Sequence, residues 1–292
     1  MATQEDIQSH YDLDNDFFAL FLDNDYRVYS CGVWKSALNL EDAQKHKLER
    51  LSKFAHLADG QTVLDVGCGW GGLMQYVTSQ YPNSKTHGLT LSTKQFEYIQ
   101  SVPKAGVTAY LCAWQKFASP QKKFDAIISI GAFEHFASVE DHSASLHRKV
   151  YRDFFNWCKS VSTDDAYIGL QTIVINRAPN SIGELRDSRY LLEKVFPGSA
   201  LPSISDIQAA IVDQYEISEI RLIGQDYART LAEWDKRLIV NRNKIIDRYS
   251  ESVFDHYRTY FDAAKRCFQT GYVDLLQVSL RKAKAIKILS PK

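Results

Sequence analysis

The 292-residue chain is 45% hydrophobic, 12% aromatic and 24% charged, a composition that is typical of globular proteins and excludes disordered and collagen-like classes. Its 35 basic and 35 acidic residues cancel, so no general electrostatic attraction to nucleic acid or anionic lipid is indicated. The five cysteines are far apart and form no C-x-x-C pair, so we expect neither a metal site nor a disulfide framework.

The amino-terminal residues predict no export signal, because acidic residues rather than a basic segment with a following apolar run open the chain. No apolar stretch approaches the ~20 residues that span a bilayer. Together with the cysteine usage, this favours a cytoplasmic protein without stable membrane insertion.

We expect one domain, since neither a repeat nor a Pro/Gly/Ser-rich linker interrupts the chain. Residues 1–59 are predicted to form a helical amino-terminal lid, and residues 60–175 a ligand-binding core. Residues 176–214 have the pattern of a partly helical cap insertion. Residues 215–292 complete the core and add helices.

The first long helix is predicted from Leu40 to Phe54, with Asn39 available as its N-cap. Short apolar runs then alternate with segments of helical periodicity, as expected of buried parallel strands. The predicted strands are Thr62–Val66, Lys85–Leu89, Val107–Leu111, Phe124–Ile130 and Tyr167–Ile175. This alternation predicts an α/β fold with a doubly wound sheet.

The cap insertion interrupts the alternation after the fifth strand. Beyond it the pattern predicts a strand, two helices and a closing strand, at Tyr215–Ile223, Ala228–Tyr249, Glu251–Phe268 and Val273–Leu280. Ligands of open α/β sheets bind outside the carboxyl ends of the strands. We therefore expect the insertion to lie over the ligand site.

A glycine-rich loop, Gly67-x-Gly69-x-Gly71, follows the first predicted strand directly. Such glycines permit a tight turn and a close approach of the backbone to a ligand, although a plain strand–helix turn fits them equally well. No carboxylate ends the second strand to bind a dinucleotide ribose, and the P-loop pattern is absent. Asp65, two residues before Gly67, gives the loop the form typical of S-adenosylmethionine (SAM) sites.

Motifs along nearly the whole chain resemble those of the cyclopropane-fatty-acid synthase family of SAM-dependent methyltransferases, especially its mycolic acid cyclopropane synthase branch. The motifs are His10-Tyr11-Asp12, Tyr29-Ser30-Cys31, Leu40-Glu41-Asp42-Ala43-Gln44, the glycine loop, Ile130-Gly131-Ala132-Phe133-Glu134-His135-Phe136, Phe196-Pro197-Gly198 and Tyr227-Ala228-Arg229-Thr230-Leu231. The resemblance implies the class I SAM-methyltransferase fold, which is Rossmann-like, with residues 60–175 as the cofactor-binding core.

The same resemblance implies a set of cofactor-binding positions. Gly67 and Gly69 would pass under the methionine part of SAM, and Trp114 would pack on the adenine. The remaining positions lie near the ribose or close over the cofactor from the amino-terminal segment: Thr90, Leu91, Gln95, Tyr29 and Ser30.

In the resembling family a bicarbonate ion acts as general base, and the resemblance implies five positions around it. These are the amide of Cys31, the carboxylate of Glu134, Gln171, the amide of Ile173 and the hydroxyl of Tyr227. Gln171 departs from the family's histidine, and a neutral amide cannot be protonated. Bicarbonate would then be held more weakly, or another base would be used. His135, next to Glu134, is expected to be structural because adjacent side chains diverge.

The resemblance implies a SAM-dependent C-methyltransferase that adds a methyl group, or a methylene that closes a cyclopropane, to an alkene carbon through a carbocation. The acceptor would be lipid-like, isoprenoid or another specialised metabolite, either small and hydrophobic or bound to a carrier. N-methylation of a small amine or alkaloid-like substrate is the alternative enzyme, and a non-catalytic SAM-binding subunit is the alternative class. No nucleic-acid partner is expected, and the acceptor and the oligomeric state stay open.

Overall fold

One seven-stranded sheet forms the centre of the computed structural model, which describes residues 14–119 and 123–284; the His10-Tyr11-Asp12 motif lies outside them. In chain order the strands are β1 (Thr62–Val66), β2 (Lys85–Thr90), β3 (Val107–Leu111), β4 (Phe124–Ile130), β5 (Ser162–Ile175), β6 (Tyr215–Leu222) and β7 (Val273–Lys282). Their spatial order is β3-β2-β1-β4-β5-β7-β6. Strands β1 to β5 are parallel, and β7 runs antiparallel between β5 and β6. The predicted α/β sheet is confirmed.

Helices cover both faces of this sheet. They are α1 (Asn15–Ala19), α2 (Leu40–Phe54), α3 (Gly72–Gln80), α4 (Thr93–Ser101), α5 (Val139–Ser143), α6 (His147–Val161), α7 (Ile182–Tyr190), α8 (Ile204–Ile211), α9 (Gly224–Val240), α10 (Arg242–Arg248) and α11 (Glu251–Gln269). Ile127 of β4 packs in one buried cluster, whereas its neighbours Ala126 and Ile128 pack in another. Because successive side chains of a strand point to opposite faces, the sheet is buried on both sides.

The amino-terminal segment packs on helices from the other end of the chain. Phe17 and Phe21 are fully buried, and Phe21 makes an edge-to-face contact with Phe261 of α11 at 5.3 Å. Asn39 caps α2 as predicted, since its side chain accepts a hydrogen bond from the Asp42 amide. The phenylalanines of this segment therefore belong to a core rather than to an exposed surface.

Two predicted boundaries are wrong for identifiable reasons. The single helix predicted over Ala228–Tyr249 is broken at Asn241, whose side chain donates to the carbonyl oxygens of Leu20 and Arg237. A side-chain amide that satisfies such carbonyls ends the helix without a glycine. Strand β5 begins at Ser162 rather than Tyr167, because a bulge in its pairing with β4 leaves Asp164 exposed and hides the strand pattern.

The insertion between β5 and β6 contains α7, a π-helical turn (Leu191–Val195) and α8. It is attached to the rest of the fold at defined points. Asp187 of α7 accepts two hydrogen bonds from the Arg266 guanidinium of α11, at 2.5 and 2.9 Å. Ser199 forms a β-bridge with Ser138, and Ser203 forms one with Ile175. The insertion thus packs over the carboxyl end of β5.

Candidate active site

Two cavities open at the carboxyl edge of the sheet. The first, which we call the loop cavity, is lined by the glycine loop and by residues after β2, β3 and β4, and encloses about 1080 Å³ including space open to solvent. The second, the cap cavity, is lined by the insertion, α9 and α11, and encloses about 970 Å³ on the same measure. Four residues line both cavities and form their junction: Tyr29, Ser30, Gly131 and His135.

The glycine loop is shaped by positive backbone torsions. Gly67 has φ of +85°, and a Cβ atom on it would lie 2.4 Å from the Ala132 Cβ, so only glycine fits. The amides of Gly67 and Cys68 both donate to the Leu89 carbonyl oxygen, at 3.0 and 2.9 Å. Gly69 has φ of +54° and open space where a Cβ would be. The loop is therefore held against β2 and leaves room for a ligand above Gly69.

The far wall of the loop cavity carries polar and aromatic groups from three further segments. Thr90 donates to the Gln95 side-chain oxygen at 2.8 Å, and Leu91 also lines the cavity. Trp114 is buried on an aromatic cluster, and its ring nitrogen has no hydrogen-bond partner in the described part of the chain. The unpartnered Trp114 ring nitrogen fits a nucleoside-containing ligand such as SAM. The tight loop that requires glycine at position 67 fits such a ligand as well.

Glu134 projects into the cap cavity from a single 3₁₀ turn (Phe133–His135) that follows β4. Its Oε1 accepts a hydrogen bond from the Ile173 amide at 2.7 Å. Its Oε2 is buried and, among residues 14–119 and 123–284, has no hydrogen-bond partner. Burial raises the pKa of Glu134 to about 7. A carboxylate with such a pKa can exchange a proton near neutral pH.

Of the five positions implied for bicarbonate, Glu134, Ile173 and Tyr227 line the cap cavity. Gln171 does not, because its side-chain oxygen accepts from Gln277 at 2.7 Å on the side of the sheet that α2 covers. The Gln171 side-chain nitrogen is buried without a partner in the described chain. The Ile173 amide donates to Glu134, so it could serve an anion only if that hydrogen bond were released. The bicarbonate positions stay a prediction.

Cys31 is fully buried and is absent from the lining of both cavities. Burial raises the pKa of its thiol well above the usual value, so the sulfur stays protonated and is no nucleophile. The hydroxyl of Thr230 on α9 accepts from the Gly32 amide at 3.1 Å and from the Trp34 indole at 2.9 Å. Thr230 thereby holds the segment after Cys31 against the helix that carries Tyr227.

His135 lines both cavities, although we expected it to be structural from its position next to Glu134. Its Nδ1 lies 2.7 Å from the Ser199 Oγ of the insertion, and burial lowers its pKa to about 4. The ring is therefore neutral at physiological pH. Successive side chains of a 3₁₀ turn point about a third of a turn apart. Glu134 consequently lies in the wall of the cap cavity, whereas His135 lies at the junction of the two cavities. The sequence feature that could have indicated a role for His135 is its position directly after Glu134 in the same turn.

The wall of the cap cavity is mostly apolar and rich in aromatic rings. Tyr227 packs on Phe268 with ring centroids 4.6 Å apart, and Phe196 meets Tyr260 edge to face at 5.7 Å. Leu191, from the π-helical turn, is one of several leucines in the same wall. Such a lining favours an apolar ligand and presents ring faces that can attract a cation.

Two searches of the described residues bear on other kinds of site. No helix in residues 14–119 or 123–284 is both long and apolar enough to cross a bilayer. Within those residues there is also no cluster of three or more His, Cys, Asp or Glu side chains arranged to hold a metal ion.

Known proteins share both the sequence pattern and the fold. Residues 1–278 match the family described as Mycolic acid cyclopropane synthetase. The chain is 32% identical to the S-adenosylmethionine-dependent methyltransferase UmaA of Mycobacterium tuberculosis, across 95% of this chain and 97% of that protein. The cyclopropane synthase MmaA2 from Mycobacterium tuberculosis superposes with a TM-score of 0.86 at 29% identity, over 97% of this chain and 99% of that one.

A second solved structure contains ligands. Mycolic acid cyclopropane synthase CmaA1, complexed with SAH and CTAB, superposes with a TM-score of 0.85 at 30% identity, over 96% of this chain and 98% of that one. The resemblance and the class I SAM-methyltransferase fold are thereby confirmed. The chain belongs to the mycolic acid cyclopropane synthase family of SAM-dependent methyltransferases, and SAM is its cofactor.

Proposed function

We propose that this enzyme transfers the SAM methyl group to an alkene carbon of a lipid-like or isoprenoid-like acceptor that lies in the cap cavity. The observation that carries the proposal is the position of Glu134: this buried carboxyl group lies in the wall of a mostly apolar and aromatic cavity, and its Oε2 has no hydrogen-bond partner among the described residues. The lipid-like CTAB in the relative CmaA1 supports an acceptor of that class. A polar acceptor would gain little from such walls.

SAM, when bound, supplies an electrophilic methyl group. Gly67 and Gly69 would leave room for its methionine part in the loop cavity, and Trp114 would face the adenine. Thr90, Leu91 and Gln95 would bound the ribose, and Tyr29 and Ser30 would cover the cofactor at the junction. This assignment places the methyl donor and the acceptor on opposite sides of four shared residues.

An alkene is a weak nucleophile, so the walls of the cap cavity must hold it in line with the methyl group. Attack forms a carbon–carbon bond, breaks the carbon–sulfur bond and leaves a carbocation on the acceptor. The faces of Tyr227 and Phe268 would stabilise that cation, each by roughly 0.5–2 kcal/mol. The apolar lining would also keep away water that could trap the cation.

The carbocation must then lose a proton, which Glu134 would accept. Its buried carboxylate is ionised only above about pH 7, which matches a base that is protonated once per turnover. Removal of a proton from the new methyl group would close a cyclopropane, whereas removal from a neighbouring carbon would leave a methylated alkene. We therefore assign the general base to Glu134, and no step of the proposed mechanism uses bicarbonate.

The test is product analysis by mass spectrometry with SAM that carries a trideuteromethyl group. The acceptor panel contains unsaturated fatty acyl and prenyl compounds together with small secondary amines. A cyclopropane product loses one deuterium from the transferred group, whereas a simple C-methylated product retains all of them. We expect label in an alkene acceptor and none in that acceptor with the Glu134→Gln variant.

Labelled amines with unlabelled alkenes would overturn the proposal in favour of N-methylation. Binding of SAM without any labelled product across the panel would favour a non-catalytic subunit. Full turnover by Glu134→Gln would retain methyl transfer to carbon but remove Glu134 as the base.

A further inference from the structure

A fully buried lysine, Lys47 of α2, lies behind the junction of the two cavities. Its ammonium donates a hydrogen bond to the Ser30 hydroxyl at 2.8 Å. Gln44, one turn earlier on the same helix face, is also fully buried and donates to the Ser30 carbonyl oxygen at 2.8 Å. One face of α2 thus holds both the backbone and the side chain of Ser30.

The contact with Lys47 determines how the Ser30 hydroxyl can be used. The charged form of Lys47 has only donors, so in that form the Ser30 oxygen accepts from it. A hydroxyl has one proton of its own to donate, and that proton has to point away from Lys47. Ser30 lines both cavities. Its O–H is therefore left to donate to a ligand at the junction.

The positive charge of Lys47 lacks a close counter-ion. Among residues 14–119 and 123–284, no carboxylate oxygen lies within 4.0 Å of its nitrogen. Asp23, the acid with the largest electrostatic effect on it, accepts hydrogen bonds from the amides of Tyr26, Arg27 and Val28. The second such acid, Asp65, lines the loop cavity. Burial lowers the pKa of Lys47 to about 7, as expected for a cation that lacks a paired anion.

We propose that Lys47 is a positioning residue for the carboxylate of the methionine part of SAM, acting through the Ser30 hydroxyl. The ammonium orients and polarises that hydroxyl so that it donates toward the junction, and it adds a buried positive charge behind it. A carboxylate is the ligand group that such an arrangement favours. The proposal depends on the cofactor alone and not on the acceptor chemistry proposed above.

The test compares two ligands by titration calorimetry. S-adenosylhomocysteine carries the carboxylate, whereas 5′-methylthioadenosine keeps the nucleoside and lacks the amino acid part. We expect Lys47→Met to weaken S-adenosylhomocysteine by about tenfold to a hundredfold, the range for a hydrogen bond to a charged group, and 5′-methylthioadenosine by less than about twofold. Lys45→Met, an exposed position on the same helix, is the matched control and should change neither affinity.

A double-mutant cycle with Ser30→Ala tests the route of action. If Lys47 acts through Ser30, the double variant should bind S-adenosylhomocysteine about as well as the weaker single variant. Additive losses would overturn that route. Equal weakening of both ligands would show that Lys47 only supports the fold, and unchanged affinities would remove it from cofactor binding.

Binding of 5′-methylthioadenosine also reports that a variant is folded. If Lys47→Met binds neither ligand, the same titrations are made with Lys47→Gln, whose uncharged amide can still donate a hydrogen bond. Because this variant removes the charge, selective weakening of S-adenosylhomocysteine by Lys47→Gln would support the proposal, and loss of both ligands or of neither would overturn it. None of these measurements uses an acceptor, so a failure of alkene methylation would leave their outcome unaffected.

Discussion

The two cavities that meet at the carboxyl edge of the sheet are built in different ways. The loop cavity is lined largely by short segments that directly follow β1, β2, β3 and β4, and each segment carries a local motif. The cap cavity is lined by residues spread from Tyr29 to Val273, most of them on the insertion, α9 and α11. If cofactor and acceptor bind as proposed, turns at the ends of the strands hold the cofactor, whereas helices packed around the sheet hold the acceptor.

The two cavities also differ in chemistry. The loop cavity contains hydrogen-bonding groups such as Thr90 and Gln95 beside its aromatic wall. The cap cavity has a mostly apolar wall with one acidic group, Glu134. If the cofactor binds in the loop cavity and the acceptor in the cap cavity, substitutions in the cap cavity should change turnover and leave the affinity for SAM unchanged. Each prediction below tests that separation.

The largest effect is expected for Glu134→Gln. Glutamine can still accept from the Ile173 amide but cannot accept the proton, so kcat should fall by about a hundredfold to ten-thousandfold. The Kd for SAM, measured by calorimetry, should change less than about twofold. Glu140→Gln, at an exposed position of α5, is the matched control. A tenfold weakening of SAM by the Glu134 change would break the separation of the two cavities.

The pH dependence of kcat should reflect the same carboxyl group. Because the base must be ionised and burial raises its pKa to about 7, kcat should rise about tenfold per pH unit below that value and level off above it. The measurement is a rate profile under saturating substrates. A flat profile between pH 5.5 and 7 (roughly 1.5 units below the expected pKa) would assign the base elsewhere.

Tyr227 tests whether a ring face or a hydroxyl is needed in the cap cavity. Tyr227→Leu removes the ring that packs on Phe268 and should lower kcat by about twofold to thirtyfold, the range for loss of one cation–π contact. Tyr227→Phe keeps the ring and should stay within about twofold of the parent enzyme. Equal losses in both variants, measured as kcat at saturating SAM, would show instead that the hydroxyl matters.

The smallest effect is expected from bicarbonate. Since Gln171 is bonded to Gln277 and the Ile173 amide to Glu134, depletion of bicarbonate should slow turnover by less than about twofold. Gln171→His should leave this small dependence unchanged, because the side chain at position 171 lies against Gln277 and not in the cap cavity. A strict bicarbonate requirement in the parent enzyme would overturn the assignment of the base to Glu134.

Much of the fold could be predicted because the buried strands are continuous apolar runs between helical segments. The predicted bounds of β5 and of the helix over Ala228–Tyr249 were wrong because polar residues determine the structure there. Asp164 is exposed within a bulged strand, and Asn241 ends a helix through its side chain rather than through a glycine. Both effects depend on a partner element, such as β4 for the bulge and Leu20 for the helix end, which periodicity cannot identify.

The candidate site shows the same limit. The positions implied for SAM all line the loop cavity. Most of them lie at or just after the ends of strands whose order a doubly wound sheet determines, whereas Tyr29 and Ser30 come from the amino-terminal segment. The orientation of Gln171 depends on Gln277, a residue more than a hundred positions away that only the sheet pairing brings opposite it. Lys47 lies on a helix rich in charged residues and looks like part of a solvated face until the packing of Ser30 is known.

The paired hydrogen bonds between Asp187 and Arg266 have a consequence for how molecules reach the interior. They fasten the insertion to α11, so swinging it outward would separate two opposite charges, one of them almost completely buried. Leu192 lines the cap cavity and is 41% exposed, so the cavity wall reaches the surface there. If the acceptor enters beside Leu192 while the insertion stays attached, slender and flexible chains should be modified more readily than broad, rigid scaffolds.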